Sequence, residues 1–370
     1  MMNQRHAHQR AQSRQQGVTL VELMVTIAIN LVLVLAATLL YLNTRTTQKE
    51  VMERSAVYET GQFAMGLLAR DITTAGFYPA SSNEPPPLSG VPTSNVRFTH
   101  DAVAKNMGMA EAFAHGVFGC NGQAFDVASR SCKNSSDIVS GSDALVLSYF
   151  TEDAFSVSAG QRADCTRTDV INDTTIAKND VRATYLTGSG GGEGEEEVSA
   201  DKVKPDVGPL PDSPLLVINA YALVPGTMTL DSGKQVNTGT LTCWGNGLGK
   251  REQLVQGVDQ FVVTYGLMSD DSRRPVRYVT AENVATNSAE INGEMMSGWQ
   301  LVTSVRVCML VRSPQATTLR DSAAITDCRG NSVSREDGFQ VRRFEQVFSI
   351  KNRQGNTVSL KLAQAAGSEK

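Results

Sequence analysis

The stretch "QQGVTLVELMVTIAINLVLVLAATLLYL", residues 15–42, decides the fold. From Val18 to Leu42 its only charged residue is Glu22. As a helix rising about 1.5 Å per residue, this segment is about 37 Å long, enough to cross a hydrocarbon core of about 30 Å. It is too long for a cleaved secretory signal, and the small residue Gly17 precedes it instead of following it. The segment is therefore expected to be a membrane anchor.

Glu22 needs an explanation, because burying a carboxylate in lipid costs free energy. One explanation places Glu22 at the membrane interface, where that cost is small. The other is that cleavage after Gly17 creates an amine at Val18, one helical turn from Glu22. An amine and a carboxylate about 4 Å apart attract by about 4 kcal/mol at an effective dielectric constant of about 20, which would offset the desolvation of both groups.

The start of the segment resembles a known export signal. "QQG" followed by "VTLVELMVTIAI" is similar to the class III signal of type IV prepilins, with a basic leader over residues 1–17, a glycine, and T-L-V-E opening the helix. The resemblance implies that prepilin peptidase, a membrane-embedded aspartyl enzyme, cleaves between Gly17 and Val18 and methylates the new amine of Val18. It also implies that Glu22 guides docking into a growing filament. Val18 departs from the phenylalanine found there in most major pilins.

A second helical stretch is predicted over residues 43–76, with Gly76 as its end. Its apolar residues form two stripes on different sides. Such a helix either packs on its own domain and on neighbouring subunits, or buries one wide stripe in a single core. The first stripe contains Val51, Tyr58, Met65, Leu68 and Ile72, and the second contains Met52, Ala56, Phe63 and Leu67.

Residues 77–370 are expected to form a loop-rich head of period-two strands separated by turn residues. We therefore expect an α+β fold, in which a long N-terminal hydrophobic helix packs on a predominantly antiparallel β-sheet. The Gly- and Glu-rich stretch 187–206 is expected to be a flexible, solvated loop. Strands are predicted at 141–150, 215–225 (ended by Pro225), 258–268, 299–313 and 339–353.

Six cysteines follow the apolar segment, and their spacing does not indicate a zinc site. An even count fits up to three disulfides in an oxidising compartment, and with the large C-terminal region it indicates a cytoplasmic N-terminus and a periplasmic head. Six buried thiols in a cytoplasmic protein are the alternative. In the predicted strand 299–313, the side chain of Cys308 lies on the face opposite the main core. The loop that leads to Cys328 is therefore expected to fold over that face. The count leaves the connectivity open, and neighbours in sequence are the favoured pairs: Cys120–Cys132, Cys165–Cys243 and Cys308–Cys328.

Five later stretches extend the resemblance to the PilW-type minor pilins: "GFYP", "GSDALVLSY", "GVDQFVVTYGL", "W" with "VRVCMLVRS", and "RRFEQVFSIKNR". The resemblance implies a low-abundance subunit that joins other minor pilins and the major pilin in a complex at or near the fibre tip. That complex primes assembly by the inner-membrane pilus machinery, and the subunit lies in membrane lipid before assembly. Pili of this kind serve adhesion, twitching motility and DNA uptake.

The sequence contains no catalytic constellation, and it predicts no enzyme activity, no cofactor and no metal site. A G-x-S-x-G turn, a P-loop and a dinucleotide-binding G-x-G-x-x-G in its strand–helix context are absent. His100 and His115 are interpreted as loop residues, and the carboxylates of 187–206 and Asp270–Asp271 match no EF-hand calcium loop. The formal net charge of −4, without a basic excess, does not indicate a nucleic-acid partner.

Two other functions stay open. A minor pseudopilin of a type II secretion system shares the signal and the helix-plus-sheet plan, and neighbouring secretion genes would indicate it. A membrane-anchored periplasmic adhesin or binding protein would instead keep an uncleaved N-terminus.

Overall fold

The computed structural model divides into two compact units, with the division between Met52 and Glu53. The predicted leader, the residues Gly17 and Val18, and the predicted loop 187–206 lie outside the described residues. The structure describes residues 19–77, 100–101, 109–150, 164–168, 216–247, 249–269, 274–291, 293–316, 324–333 and 338–353.

One long helix, α1 (Leu20–Thr74), joins the apolar segment to the predicted second helical stretch. No proline interrupts it, and it is rich in good helix formers. The chain leaves the helix at Gly76, which has a φ of +69° and donates its N–H to the carbonyl of Ser148 at 2.9 Å. A Cβ on Gly116 would lie 2.4 Å from the Cα of Gly76, so the backbones meet too closely there for any side chain.

The remaining elements are short helices and fourteen strands within the described residues. In chain order they are α2 (Glu111–Ala114), β1 (Val117–Cys120), β2 (Ala124–Asp126), β3 (Ser131–Lys133), β4 (Ala144–Phe150), β5 (Leu216–Thr229), β6 (Gln235–Gly245), β7 (Lys250–Leu267), β8 (Arg277–Val279), α3 (Ala281–Val284), β9 (Ser288–Ile291), β10 (Glu294–Ser297), a 3-10 helix (Gly298–Leu301), β11 (Val302–Ala316), β12 (Ile325–Thr326), β13 (Ser332–Val333), β14 (Phe339–Ser349) and a second 3-10 helix (Lys351–Arg353).

The main sheet is antiparallel throughout, in the order β1-β4-β5-β6-β7-β11-β14, with β8 added to β7. Strand β7 changes partners along its length. Its first half pairs with β6 as far as Val258, and its second half pairs with β11 from Val258 onward. Register shifts at this point give the sheet a local bend, as bulges do.

The concave core lies between this sheet and the part of α1 in the second unit. Fully burying one large aliphatic side chain there stabilises the fold by about 1.5–3 kcal/mol. Met65, Leu68 and Ile72 of the first predicted stripe are buried. Tyr58 of the same stripe and Phe63 of the second stripe remain 47% and 52% exposed. The helix therefore keeps an exposed apolar surface in the second unit. The buried residues include Val57, Ala64, Met65, Leu68 and Ile72 from α1, and Leu145, Tyr221, Leu241, Phe261, Val307 and Phe344 from the sheet.

A second, smaller core lies against the other face of β4 and β5. Phe113 of α2 is fully buried there and meets Phe125 edge to face at 6.0 Å between ring centroids. The region between α2 and β3 thus gives the sheet a partial second layer. Val146, Ile218, Ala220 and Trp244 complete this cluster.

The predicted end of a strand at Pro225 is wrong, because β5 continues through Pro225 to Thr229. Proline is tolerated there because the ladder from β4 to β5 has already ended at Ala222, so β5 has only β6 as a strand partner, with Pro225 opposite Gly239. The predicted strands 299–313 and 339–353 are shorter at one end each, where 3-10 helices replace their first and last residues.

Three disulfides join the six cysteines, and no free cysteine is left. Their pairing is the one favoured from the sequence: Cys120–Cys132, Cys165–Cys243 and Cys308–Cys328. The last bond fastens the loop containing β12 and β13 to the sheet.

Candidate functional site

Glu22 lies in the first turn of α1, where Thr19 caps the helix. The Oγ1 of Thr19 accepts the N–H of Glu22 at 3.3 Å, and its carbonyl accepts the N–H of Leu23 at 3.1 Å. The carboxylate of Glu22 also lies at the positive end of the helix dipole, which favours it there. The T-x-x-E spacing is a known capping signal that sequence reasoning overlooked. The cap bond uses the backbone N–H of Glu22, so the local contribution of the carboxylate is its favourable position in the helix dipole.

The apolar segment 20–42 is exposed along its length, and α1 is long and apolar enough to cross a membrane. The hydroxyl groups of its two threonines are satisfied within the helix. Thr26 donates to the carbonyl of Leu23 at 2.8 Å, and Thr38 donates to the carbonyl of Val34 at 2.7 Å. These bonds suit a lipid environment, where water is not available to satisfy polar groups.

At the other end of α1, Asp71 is a buried carboxylate with only 3% of its surface exposed. Its Oδ2 accepts hydrogen bonds from Nδ2 of Asn219 at 2.7 Å and from the hydroxyl of Tyr221 at 2.5 Å, and its Oδ1 accepts from Arg70 at 3.2 Å. Burial and the charge of Asp71 raise the pKa of Tyr221 well above its usual value, so this hydroxyl stays protonated and keeps donating. The network fixes the end of α1 on β5.

Asn219 also reaches the short segment 164–168. Its Oδ1 accepts the backbone N–H of Cys165 at 2.9 Å, while its Nδ2 donates to Asp71. The neighbouring Asp164, fully buried, accepts the N–H of Gly247 at 2.8 Å. One buried amide thus joins the helix, the sheet and the Cys165–Cys243 disulfide.

Asp143 gives the "GSDALVLSY" stretch a structural role beyond the predicted strand. It is 2% exposed and accepts the backbone N–H of Gly122 at 2.9 Å and of Val263 at 2.8 Å, and a charged hydrogen bond from Arg329 at 3.0 Å. Burial raises its pKa, and the three donors oppose that rise. Asp143 therefore fastens three segments around the start of β4.

Arg353, the last described residue, connects the C-terminal 3-10 helix to several other segments by hydrogen bonds. Its guanidinium donates to the carbonyls of Trp299 at 2.8 Å and Gln300 at 2.7 Å, to the carbonyl of His115, and to Asp101 at 3.0 Å. Burial alone would raise the pKa of Asp101, but Arg353 and His115 hold it well below its usual value. The arrangement is an ion pair that locks three distant segments together.

His100 lies beside this ion pair and is 2% exposed. Its Nδ1 is 3.2 Å from the carbonyl oxygen of Ala114, and its Nε2 is 3.4 Å from the hydroxyl oxygen of Ser148. Burial lowers its pKa to about 4; Asp101 opposes this shift, and Arg353 adds to it. His100 is therefore a neutral core residue at physiological pH, not the loop residue predicted from the sequence.

A surface groove of about 660 Å³ lies between β5, β6 and the loop before β4. Its charged groups are Asp259 and Arg312, which form an ion pair at 2.6 Å, and the guanidinium of Arg312 also lies over the ring of Phe339. Both charges are thus already paired. Within the described part of the chain, no three His, Cys, Asp or Glu side chains are grouped to hold a metal ion.

Two family descriptions match the chain. Residues 12–38 match "Prokaryotic N-terminal methylation motif", and residues 229–352 match "Type IV Pilus-assembly protein W". The first covers the leader end and the start of α1, and the second runs from the end of β5 to the last 3-10 helix. No curated protein matches the chain. Among solved structures, a type IV-like pilin from Thermus thermophilus aligns with 11% identity and a TM-score of 0.25, over 60% of this chain and 83% of that one.

The long apolar helix, the antiparallel sheet and the methylation motif make this chain similar to the class of type IV pilin-like proteins. Within that class, residues 229–352 are similar to the PilW-type pilus-assembly proteins. The motif and the apolar helix together indicate a membrane-anchored pilin.

Proposed function

We propose that this chain is a minor pilin subunit of a type IV pilus, which takes part in priming assembly and is incorporated into the fibre. The observation that carries the proposal is the combination of a methylation motif at residues 12–38 with a PilW match at residues 229–352. Its neighbours would be other minor pilins and the major pilin, and it would support piliation, twitching motility, adhesion or DNA uptake.

In this proposal prepilin peptidase removes residues 1–17 and methylates the amine of Val18. Residues 18–42 then form the membrane and assembly helix, and residues 43–76 its amphipathic extension. The N-terminus faces the cytoplasm, while the head, residues 77–370, lies in the periplasm and later at the cell surface. The carboxylate of Glu22 pairs with the N-terminal amine of a neighbouring subunit as the helix leaves the bilayer. Three disulfides in the head support an oxidising compartment.

The test is the intact mass and N-terminal peptide of the protein taken from its native membrane without reduction. We expect a chain beginning at Val18, with or without one methyl group. Gly17→Leu should block cleavage and leave the leader attached, whereas Gly66→Ala, in the exposed part of α1, should be processed normally. A wild-type chain beginning near Met1 would overturn the proposal in favour of a permanently anchored protein.

A further inference from the structure

We propose that the Cys165–Cys243 disulfide is a redox-controlled lock on the C-terminal end of α1, with Asn219 as the coupling residue. Asn219 and Asp71 are shielded from water, and Cys165 is partly buried. Asn219 and Cys243 are fully buried, and Asp71 is 3% exposed.

The first step is the orientation of the Asn219 amide. A carboxamide has an accepting end and a donating end, and here each end has a partner that fits only one orientation. The N–H of Cys165 can only donate, and it bonds to Oδ1 at 2.9 Å. The carboxylate of Asp71 can only accept when ionised, and it bonds to Nδ2 at 2.7 Å. The N–H of Cys165 therefore favours the same amide orientation that the carboxylate of Asp71 requires.

The second step is the dependence of Cys165 on its disulfide. The segment 164–168 is tied to the sheet by the bond to Cys243, by the hydrogen bond to Asn219, and by the bond from Gly247 to Asp164. Reduction removes the covalent tie. When the segment opens, the buried Oδ1 of Asn219 loses its donor, which is costly in a site closed to water. The hydrogen bond from Asn219 to Asp71 is then weakened as well, because the amide is no longer held in place.

The redox step balances with an external thiol oxidant of the protein-disulfide class. Forming the lock converts the thiols of Cys165 and Cys243 to one disulfide and releases two protons. Two electrons pass to the disulfide of the oxidant, which takes up two protons and becomes a dithiol, so the exchange has no net proton release. Docking of the helix end would thus be completed only where such an oxidant is present.

The experiment is amide hydrogen exchange on the purified full-length chain in detergent, comparing wild type with Cys165→Ser/Cys243→Ser. We expect exchange at residues 68–75 to become about tenfold faster relative to amides of β11, because an unmade buried hydrogen bond shifts a local opening equilibrium by about that factor. Cys120→Ser/Cys132→Ser is the matched control. It also removes one disulfide but leaves the contacts of Asn219 intact, so the ratio should not change.

Two outcomes would overturn the lock. One is that residues 68–75 and β11 accelerate equally in the Cys165→Ser/Cys243→Ser variant, which would indicate global destabilisation only. The other is that removing the disulfide speeds exchange at residues 68–75 just as much in an Asn219→Ala background. That result would exclude Asn219 as the coupling residue. Neither outcome bears on the proposed pilus function, because the measurement uses the isolated protein.

Reciprocity provides a second measurement should the serine variant fail to fold. If oxidation stabilises docking of Asp71, then loss of Asp71 must make the disulfide easier to reduce by the same factor. Asp71→Ala should therefore raise the reduced fraction of Cys165–Cys243 in a glutathione buffer about tenfold. Tyr221→Phe, which removes a different donor to Asp71, should leave that fraction nearly unchanged. Equal fractions in wild type and Asp71→Ala would contradict the lock.

Discussion

Gly61 sets the distance between α1 and β14 by having no side chain. The ring of Phe344 lies over it so closely that a Cβ built on Gly61 would be 2.4 Å from two ring atoms. Gly66, one turn and a half further along the same helix, has no atom within 4 Å of such a Cβ. The two glycines differ in their surroundings although the sequence treats them alike.

Alanine at these two positions should therefore have opposite effects on stability. Gly61→Ala is expected to lower the free energy of unfolding by about 1–3 kcal/mol through overpacking against Phe344. Gly66→Ala should raise it by about 0.5–1 kcal/mol, because alanine is the better helix former. Denaturant unfolding of both variants checks this, and Phe344→Leu should recover part of the loss in Gly61→Ala. Equal effects of the two alanines would show that the contact with Phe344 is not tight.

His100 makes stability depend on pH. Its folded pKa of about 4 lies below the unfolded value of about 6.5, so between these values the unfolded chain binds a proton that the folded chain does not. Stability should therefore fall as the pH drops from about 6.5 to 4, by about 3 kcal/mol in total. Unfolding measured across this range checks the slope. His100→Gln should flatten it, and His115→Gln should retain the part due to His100.

Single residues of the site were the hardest to predict from the sequence. Glu22 was identifiable because it is one charge in an apolar run. Asn219 and Arg353 carried no such signal, since their partners lie far away in the chain: Asn219 is separated from Asp71 by 148 residues and Arg353 from Asp101 by 252. Only folding brings those pairs together, so local pattern cannot reveal them.

The elements were predicted better than their boundaries. The helix and the five predicted strands follow from periodicity, because a face that contacts a core must repeat at the helical or the strand period. The central strand β6 (Gln235–Gly245) was not predicted. The strand end at Pro225 was wrong because it depends on which neighbours β5 has there, and that is a property of the sheet. The 3-10 helices beside β11 and β14 were missed for a similar reason. They are held by tertiary hydrogen bonds, among them those of Arg353 to Trp299 and Gln300.

Replacing Arg353 should lower the free energy of unfolding far more than replacing an exposed arginine of the preceding strand, β14. The side chain of Arg353 is 8% exposed and bonds to groups on other segments, so Arg353→Ala should cost about 2–4 kcal/mol in unfolding free energy. Arg343, 33% exposed and paired with Glu345, is the control and should cost under about 1 kcal/mol. Denaturant unfolding measures both. Similar costs would mean that Arg353 is not a lock between segments.

At the scale of the molecule, the proposed docking role of Glu22 can be separated from processing. Glu22→Ala should still be cleaved after Gly17, because the carboxylate is not at the cut bond. Its amount in sheared pili should fall at least about tenfold, since a lost ion pair in an apolar medium exceeds about 1.4 kcal/mol. Glu59→Ala, which removes an exposed carboxylate outside the apolar segment, should leave incorporation unchanged.

Immunoblots of the pilus fraction and N-terminal sequencing of the same samples measure the two effects. Normal incorporation of Glu22→Ala would contradict the docking role and leave the carboxylate only its favourable position at the helix N-terminus.

The pairing of the cysteines has a consequence for how the head matures. Each cysteine is bonded to the next one along the chain, first with second, third with fourth and fifth with sixth. In the proposed topology, the head is delivered to the periplasm starting from the end next to α1. An oxidant that joins the two most recently delivered thiols then makes the native bonds in order, without reshuffling. Alkylation of arrested chains of increasing length should therefore trap Cys120–Cys132 first, and mixed pairs would mean that an isomerase is needed.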